Sequence, residues 1–238
     1  LCGIMIRKTK LIIPKVHWFV FFLFLVTPFF SIASLTYGIQ MIKAANAIFF
    51  IYIGYIVTTF LLSVLLYKEQ TTINKYIALL CVAIGAFFIS FPFAVVSLWG
   101  MVFAMLAGIL DGISSGTCRE LEKYDRFVLL FYRYTVGAAF AFVAFLFVHE
   151  QFPSVMLPVS LLSVVAIGAS LFIIDSLWLY GFARFDLNLG SILTSVELLI
   201  VPFINAIFLR EYPTALEIIG GVFVFVAIVF VNLSIEKD

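Results

Sequence analysis

Apolar residues run along the chain in long unbroken stretches, parted by short polar links. The stretches do not alternate polar with apolar, so they predict helices rather than the strands of a membrane barrel. About 20 residues of helix cross the hydrocarbon of a bilayer. By that measure the pattern predicts eight spans: His17–Ile42, Ala44–Tyr67, Tyr76–Phe91, Ser97–Thr117, Phe127–Val148, Leu161–Ala183, Leu187–Leu209 and Thr214–Leu233. An uncharged link, Pro92–Val96, divides the third span from the fourth, and Arg119–Arg126 is the most polar interval. Pro28 marks a kink in the first span.

Composition agrees. Hydrophobic residues make up 65% of the 238 and charged residues 11%, which excludes a soluble domain of this size. A basic start before an apolar run also describes a signal peptide, but the run is too long and further spans follow. With the N-terminus inside, the inner links hold Arg7, Lys8, Lys10, Lys15, Lys68, Lys75, Arg119, Lys123, Arg126, Arg184 and Lys237. The outer links hold Lys43 and Arg210. The rule that positive loops stay inside therefore places both termini in the cytoplasm.

One helix pair occurs twice. Shifting the numbering by 142 puts Asn188 on Asn46, Glu211 on Glu69, Thr214 on Thr72 and Ile219 on Ile77, without a gap. Few residues are identical, and the register and hydropathy carry the match. The first copy's Lys68-Glu69 corner lies inside and its counterpart Arg210-Glu211 outside, so the copies are inverted, as in many secondary transporters. The halves divide as 1–93, with three spans, and 94–238, with five. On this register two helices are expected upstream of residue 6.

These features resemble the drug/metabolite transporter superfamily, specifically its EamA-type carriers. The resemblance rests on the helix Asn46–Glu69 closing in Lys-Glu and Asn188–Glu211 closing in Arg-Glu. Each is followed by a short polar stretch, Thr71–Lys75 and Pro213–Glu217. Then come the Gly-bearing closing helices with Gly85 and Gly220-Gly221, and Arg133 early in a helix after a basic loop. It implies an all-α integral membrane fold of ten helices in two inverted repeats around a cavity, here eight helices in an incomplete 3 + 5 repeat. It implies transport of a small polar metabolite across a bacterial inner membrane, with the bilayer and a small-molecule substrate as partners and no nucleic acid. The alternative is a truncated, non-transporting membrane protein or a subunit that needs a partner chain.

Four ionisable residues fall inside spans: Asp111, Arg133, Asp175 and Glu197. Such groups cost energy in hydrocarbon and face a wet cavity or a partner. Arg133 reads as the structural partner of an acid, or as a carboxylate contact. Asp111, flanked by Gly112, Ser114 and Ser115, reads as lining an inner vestibule or touching substrate. Glu197 lies near mid-span on a face with Gly190, Thr194, Val201 and Asn205. Tyr52, Tyr55, Thr59 and Ser63 form the equivalent face of the first copy, where Tyr55 stands for Glu197. The expected substrate pathway is Glu197, Asp175, Arg133, Thr194, Tyr55, Tyr52, Asp111 and Asn205, with Glu197 the first candidate for coupling to a proton. The hydroxyls serve equally to join helices. Pro202 either loosens the helix beyond Glu197 or is a tolerated kink. Trp178 either stacks on substrate or packs. Gly85 and Gly220-Gly221 allow a homodimer contact or packing within the chain. Cys2, Cys81 and Cys118 imply no pairing, and His17 and His149 stand alone, so no metal or other cofactor is expected. The enzyme motif HExxH is missing, as is a selectivity-filter loop.

Overall fold

The computed structural model describes residues 18–42, 44–69, 72–91, 97–148, 158–204, 207 and 214–235. The described residues contain helices and no strand. In chain order they are α1 Trp18–Met41, α2 Ala44–Leu65, α3 Ile73–Ser90, α4 Leu98–Glu120, α5 Arg126–Val148, α6 Pro158–Phe182, α7 Leu187–Thr194, α8 Glu197–Ile204 and α9 Ala215–Ile235. Among the described residues six helices are long and apolar enough to cross a bilayer, and the stretches Leu187–Ile200 and Ala215–Phe230 are apolar but shorter. The chain is a multi-pass, all-α integral membrane protein.

Two differences from the sequence pattern stand out. The third helix starts at Ile73, so Lys75 lies in its first turn and is buried instead of standing in a loop. The seventh span is two helices, not one, with a turn at Ser195 and Val196. The turn precedes Glu197, so the loosening that Pro202 predicts beyond Glu197 falls on the other side of that residue.

The chain forms two compact units. One comprises Leu1–Phe29 and Thr117–Arg184, the other Phe30–Gly116 and Phe185–Asp238. In the first, α1 meets α5 through rings: Phe21 edge-on to Tyr132 and Phe29 stacked on Phe140. Phe172 of α6 packs near Phe127 and Tyr134 of α5. Trp178 packs on Phe182 of its own helix, 5.1 Å between centroids. Most described residues from Leu162 to Leu177 on α6 are exposed in the isolated chain, as befits a lipid-facing helix.

In the second unit, glycines let helices approach closely. Gly108, Gly112 and Gly116 recur every fourth residue on α4 and face α2. A Cβ on Gly108 would overlap the Ile51 carbonyl, and one on Gly112 would sit 2.7 Å from Thr58 Cβ. Gly54 of α2 answers them against the Met105 carbonyl. Such small-residue seams replace the hydrophobic drive that helices lack in lipid. A second seam joins α3 to α9. There a Cβ on Gly85 would lie 2.8 Å from the Gly220 carbonyl oxygen, and one on Gly220 2.6 Å from that of Gly85. These glycines thus face each other within the chain. Ala78, Val82, Val224 and Ala227 are buried in the same core. The 142-residue register pairs Gly220 with Ala78, Val224 with Val82 and Ala227 with Gly85.

Gly108→Ala is expected to cost about 1–3 kcal/mol, because the added methyl must push backbone apart. Thermal unfolding in detergent should show a lowered midpoint for Gly108→Ala. Gly137→Ala, which meets nothing within 4 Å, should show no loss. Equal midpoints would contradict the seam.

Candidate functional site

The turn at Ser195 and Val196 has a local cause. Ser191 Oγ donates to the Asn188 carbonyl at 2.8 Å, Thr194 Oγ1 to that of Ser191 at 2.8 Å, and Ser195 Oγ to that of Ile192 at 2.6 Å. These hydroxyls compete with backbone N–H groups for carbonyls one turn back. The backbone responds by tightening. Ser195 N–H bonds Ile192 O, Val196 N–H bonds Leu193 O, and Leu198 N–H bonds Ser195 O, each skipping three residues instead of four. In a continuous helix Leu198 N–H would reach Thr194 O. Here that carbonyl has lost its helical donor.

Tyr52 of α2 stands against the gap. It is buried, at 5% exposure, and its hydroxyl donates to Glu197 Oε1. The same hydroxyl lies 3.5 Å from the Thr194 carbonyl oxygen. One phenolic proton cannot serve both well, so Glu197 takes it and Thr194 O is engaged only weakly. Tyr52 and Thr194 are equivalent positions in the 142-residue register. Glu197 itself is exposed, at the start of α8. A carboxylate and a backbone carbonyl thus converge beside one hydroxyl, an acceptor-rich arrangement suited to a cationic donor such as an ammonium group.

The other predicted residues separate around this point. Tyr55, where the register expects a match for Glu197, is buried and its hydroxyl lies 3.3 Å from Ser115 Oγ on α4. Ser115 also donates to the Asp111 carbonyl at 2.9 Å, and Asp111 is half-buried. Arg133 and Asp175 lie in the other unit and meet each other, Nη2 to Oδ1 at 3.5 Å. Tyr134 donates to the second oxygen of Asp175 at 2.7 Å, and the Arg133 guanidinium sits 5.2 Å from the ring centre of Phe24. Asn205 lies outside the described residues. Among the described residues no group of His, Cys, Asp and Glu could hold a metal ion.

A polar cluster that sequence reasoning missed lies at the opposite end of α7. Glu69 Oε1 accepts the Leu187 N–H at 2.8 Å, and Oε2 accepts the Ser63 hydroxyl at 2.7 Å. Asn188 Nδ2 donates to Ser63 Oγ at 2.6 Å. Beside them, Lys75 Nζ and Asp186 Oδ2 pair at 2.9 Å. The stripe of α2 is therefore used along its length: Tyr52 at the turn, Tyr55 on Ser115, Thr59 on carbonyls of its own helix, and Ser63 at the start of α7.

The model of the EamA-like transporter family matches residues 1–91 and 98–233. The chain belongs to that family. A crystal structure of a protein 18% identical to this EamA-like chain superposes with a TM-score of 0.78, over 98% of this chain and 82% of the other. That likeness establishes the fold. No curated protein matches the sequence.

The Arg133–Asp175 pair gives a direct test. Their side chains are 13% and 20% exposed. Asp175→Ala strands a half-buried guanidinium and is expected to cost about 3 kcal/mol. Arg133→Met combined with Asp175→Leu should recover most of that loss in the same thermal assay. A double variant as unstable as the single one would show that the pair does more than neutralise charge.

Proposed function

We propose that this EamA-like protein is a secondary carrier that exports or exchanges a small polar metabolite by alternating access across a bacterial inner membrane. The observation that carries the proposal is the turn before Glu197, where carboxylate and backbone carbonyl converge on Tyr52. Broken helices that present carbonyls and charged side chains inside the membrane are how inverted-repeat carriers hold solutes and ions. On this reading Glu197 and the Thr194 carbonyl take the amine of the solute, an amino acid being the simplest fit, while Tyr52 orients the carboxylate. Arg133 is held by Asp175 and is not needed to bind. Proton coupling follows if solute and proton compete for Glu197. Both termini lie in the cytoplasm, on the strength of the basic inner links. The halves 1–93 and 94–238 act as inverted repeats, in support of which Tyr52 and Thr194 lie side by side.

The test is uptake and efflux of a metabolite panel by proteoliposomes, with and without a pH gradient. Wild-type protein should accumulate at least one amine-bearing solute against its gradient when the pH gradient is imposed. Glu197→Gln should lose gradient-driven accumulation, roughly a hundredfold for a charge-assisted contact worth about 3 kcal/mol. A Gln variant with full gradient-driven transport would rule out proton coupling through Glu197.

A further inference from the structure

The cluster at the start of α7 ties together parts of the chain far apart in sequence, and its geometry is that of a clasp. Lys68 turns the end of α2 with a left-handed φ of 49°. That conformation is unfavourable for a side chain other than glycine. The turn brings Glu69 N–H onto the Ser63 carbonyl at 3.0 Å. It also directs the Glu69 carboxylate at the first turn of α7, where backbone N–H groups lack helical partners and the helix dipole favours negative charge. One carboxylate then holds two donors, the Leu187 N–H of α7 and the Ser63 hydroxyl of α2. Asn188 closes the ring by bonding Ser63.

α7 is eight residues long, roughly 12 Å. α2 holds it at both ends, by Glu69 and Ser63 at the start and by Tyr52 beside Thr194 at the finish. Just past the finish the chain tightens at Ser195 and Val196, where the regular helical bonding is interrupted. A short rigid rod, pinned at two ends and jointed at one, has two ways to move. Drawing Tyr52 away from the joint loosens one pin. The start of the rod is then held by Glu69, with Lys75–Asp186 beside it and Leu189 and Ile192 packed in the core with α3 and α9.

We propose that Glu69 is the latch of an inner gate, a positioning residue whose release lets α7 swing about the Ser195–Val196 turn and open the Glu197 site to the side on which the Lys68-Glu69 corner lies. The proposal rests on the carrier reading for its purpose, but the opening itself can be measured without transport. Lys75 and Asp186 form the second hold of the same gate. Asp186 is the more exposed partner, with its side chain 42% accessible against 7% for Lys75. The pair is therefore more open on the Asp186 side.

The experiment places a cysteine at Ser191, which is fully buried on α7, in a full chain whose native cysteines are replaced by alanine. A membrane-impermeant thiol reagent is applied to sealed vesicles of each orientation. Glu69→Ala should raise labelling from the corner's side about tenfold, the effect of losing a charge-assisted hydrogen bond, with no rise from the other side. Glu69→Gln keeps an acceptor for Leu187 N–H but loses one for Ser63, and should rise less. Ser63→Ala, which leaves the Leu187 bond intact, serves as the second variant if Glu69→Ala does not fold. Glu217→Ala removes a cap of similar kind at α9, where the Glu217 carboxylate accepts the Thr214 N–H, and should leave labelling unchanged. Unchanged labelling in the Glu69 and Ser63 variants, or an equal rise from both sides, would overturn the latch and leave an ordinary helix cap. Transport by the same vesicles reads the carrier proposal separately: a wild-type chain that moves no solute defeats that proposal whatever the labelling shows.

Discussion

Inside a bilayer there is no water to satisfy a backbone carbonyl, so a helix can be interrupted only where other groups take up its hydrogen bonds. The turn between α7 and α8 depends on this constraint. Three hydroxyls, those of Ser191, Thr194 and Ser195, occupy carbonyls one turn back, and the N–H groups of the turn shift to nearer acceptors. Tyr52 stands at the remaining gap. The interruption is therefore built in by residues that satisfy most of its cost, and what it leaves is a weakly engaged carbonyl next to a carboxylate. The glycine seam of α4 supports it indirectly. Close approach of α2 to α4 at Gly108 and Gly112 sets the rotation of α2, which points Tyr55 at Ser115 and Tyr52 at Glu197.

Six of the predicted spans were legible in the sequence because hydrocarbon imposes a composition on every residue of a crossing helix. The polar stripe from Tyr52 to Ser63 was legible for the same reason: against an apolar background, each hydroxyl stands out. What the stripe does was not. Ser63 meets Glu69 and Asn188, and Glu69 meets Leu187, across 118 positions of sequence that no local pattern can bridge. The break before Glu197 lay in plain view as the run Ser191, Thr194, Ser195, but hydroxyls on membrane helices more often leave the helix continuous. Pro202 lies within α8, and the turn falls on the other side of Glu197. The spacing of Gly108, Gly112 and Gly116 carries a sign of close packing that hydropathy alone passes over.

Two ion pairs among the described residues differ in kind. Arg133 and Asp175 neutralise each other with Tyr134 and Phe24 as further company, which suits a fixed element. Lys75 and Asp186 pair at the start of α7, one partner buried and the other more exposed. Glu197 meets a neutral hydroxyl, that of Tyr52. In the 142-residue register Tyr55 occupies the place of Glu197, and its hydroxyl lies 3.3 Å from Ser115 Oγ.

Amide hydrogen exchange across Leu187–Ile200, in a lipid nanodisc, tests the central claim most directly. If the turn lines a wet site, the amides of Ser195 to Leu199 exchange faster than those of Leu189 to Leu193, and a transported amine-bearing solute slows them. Uniformly slow exchange through the whole stretch, unaltered by any solute the protein moves, would show a continuous dry helix and contradict the account.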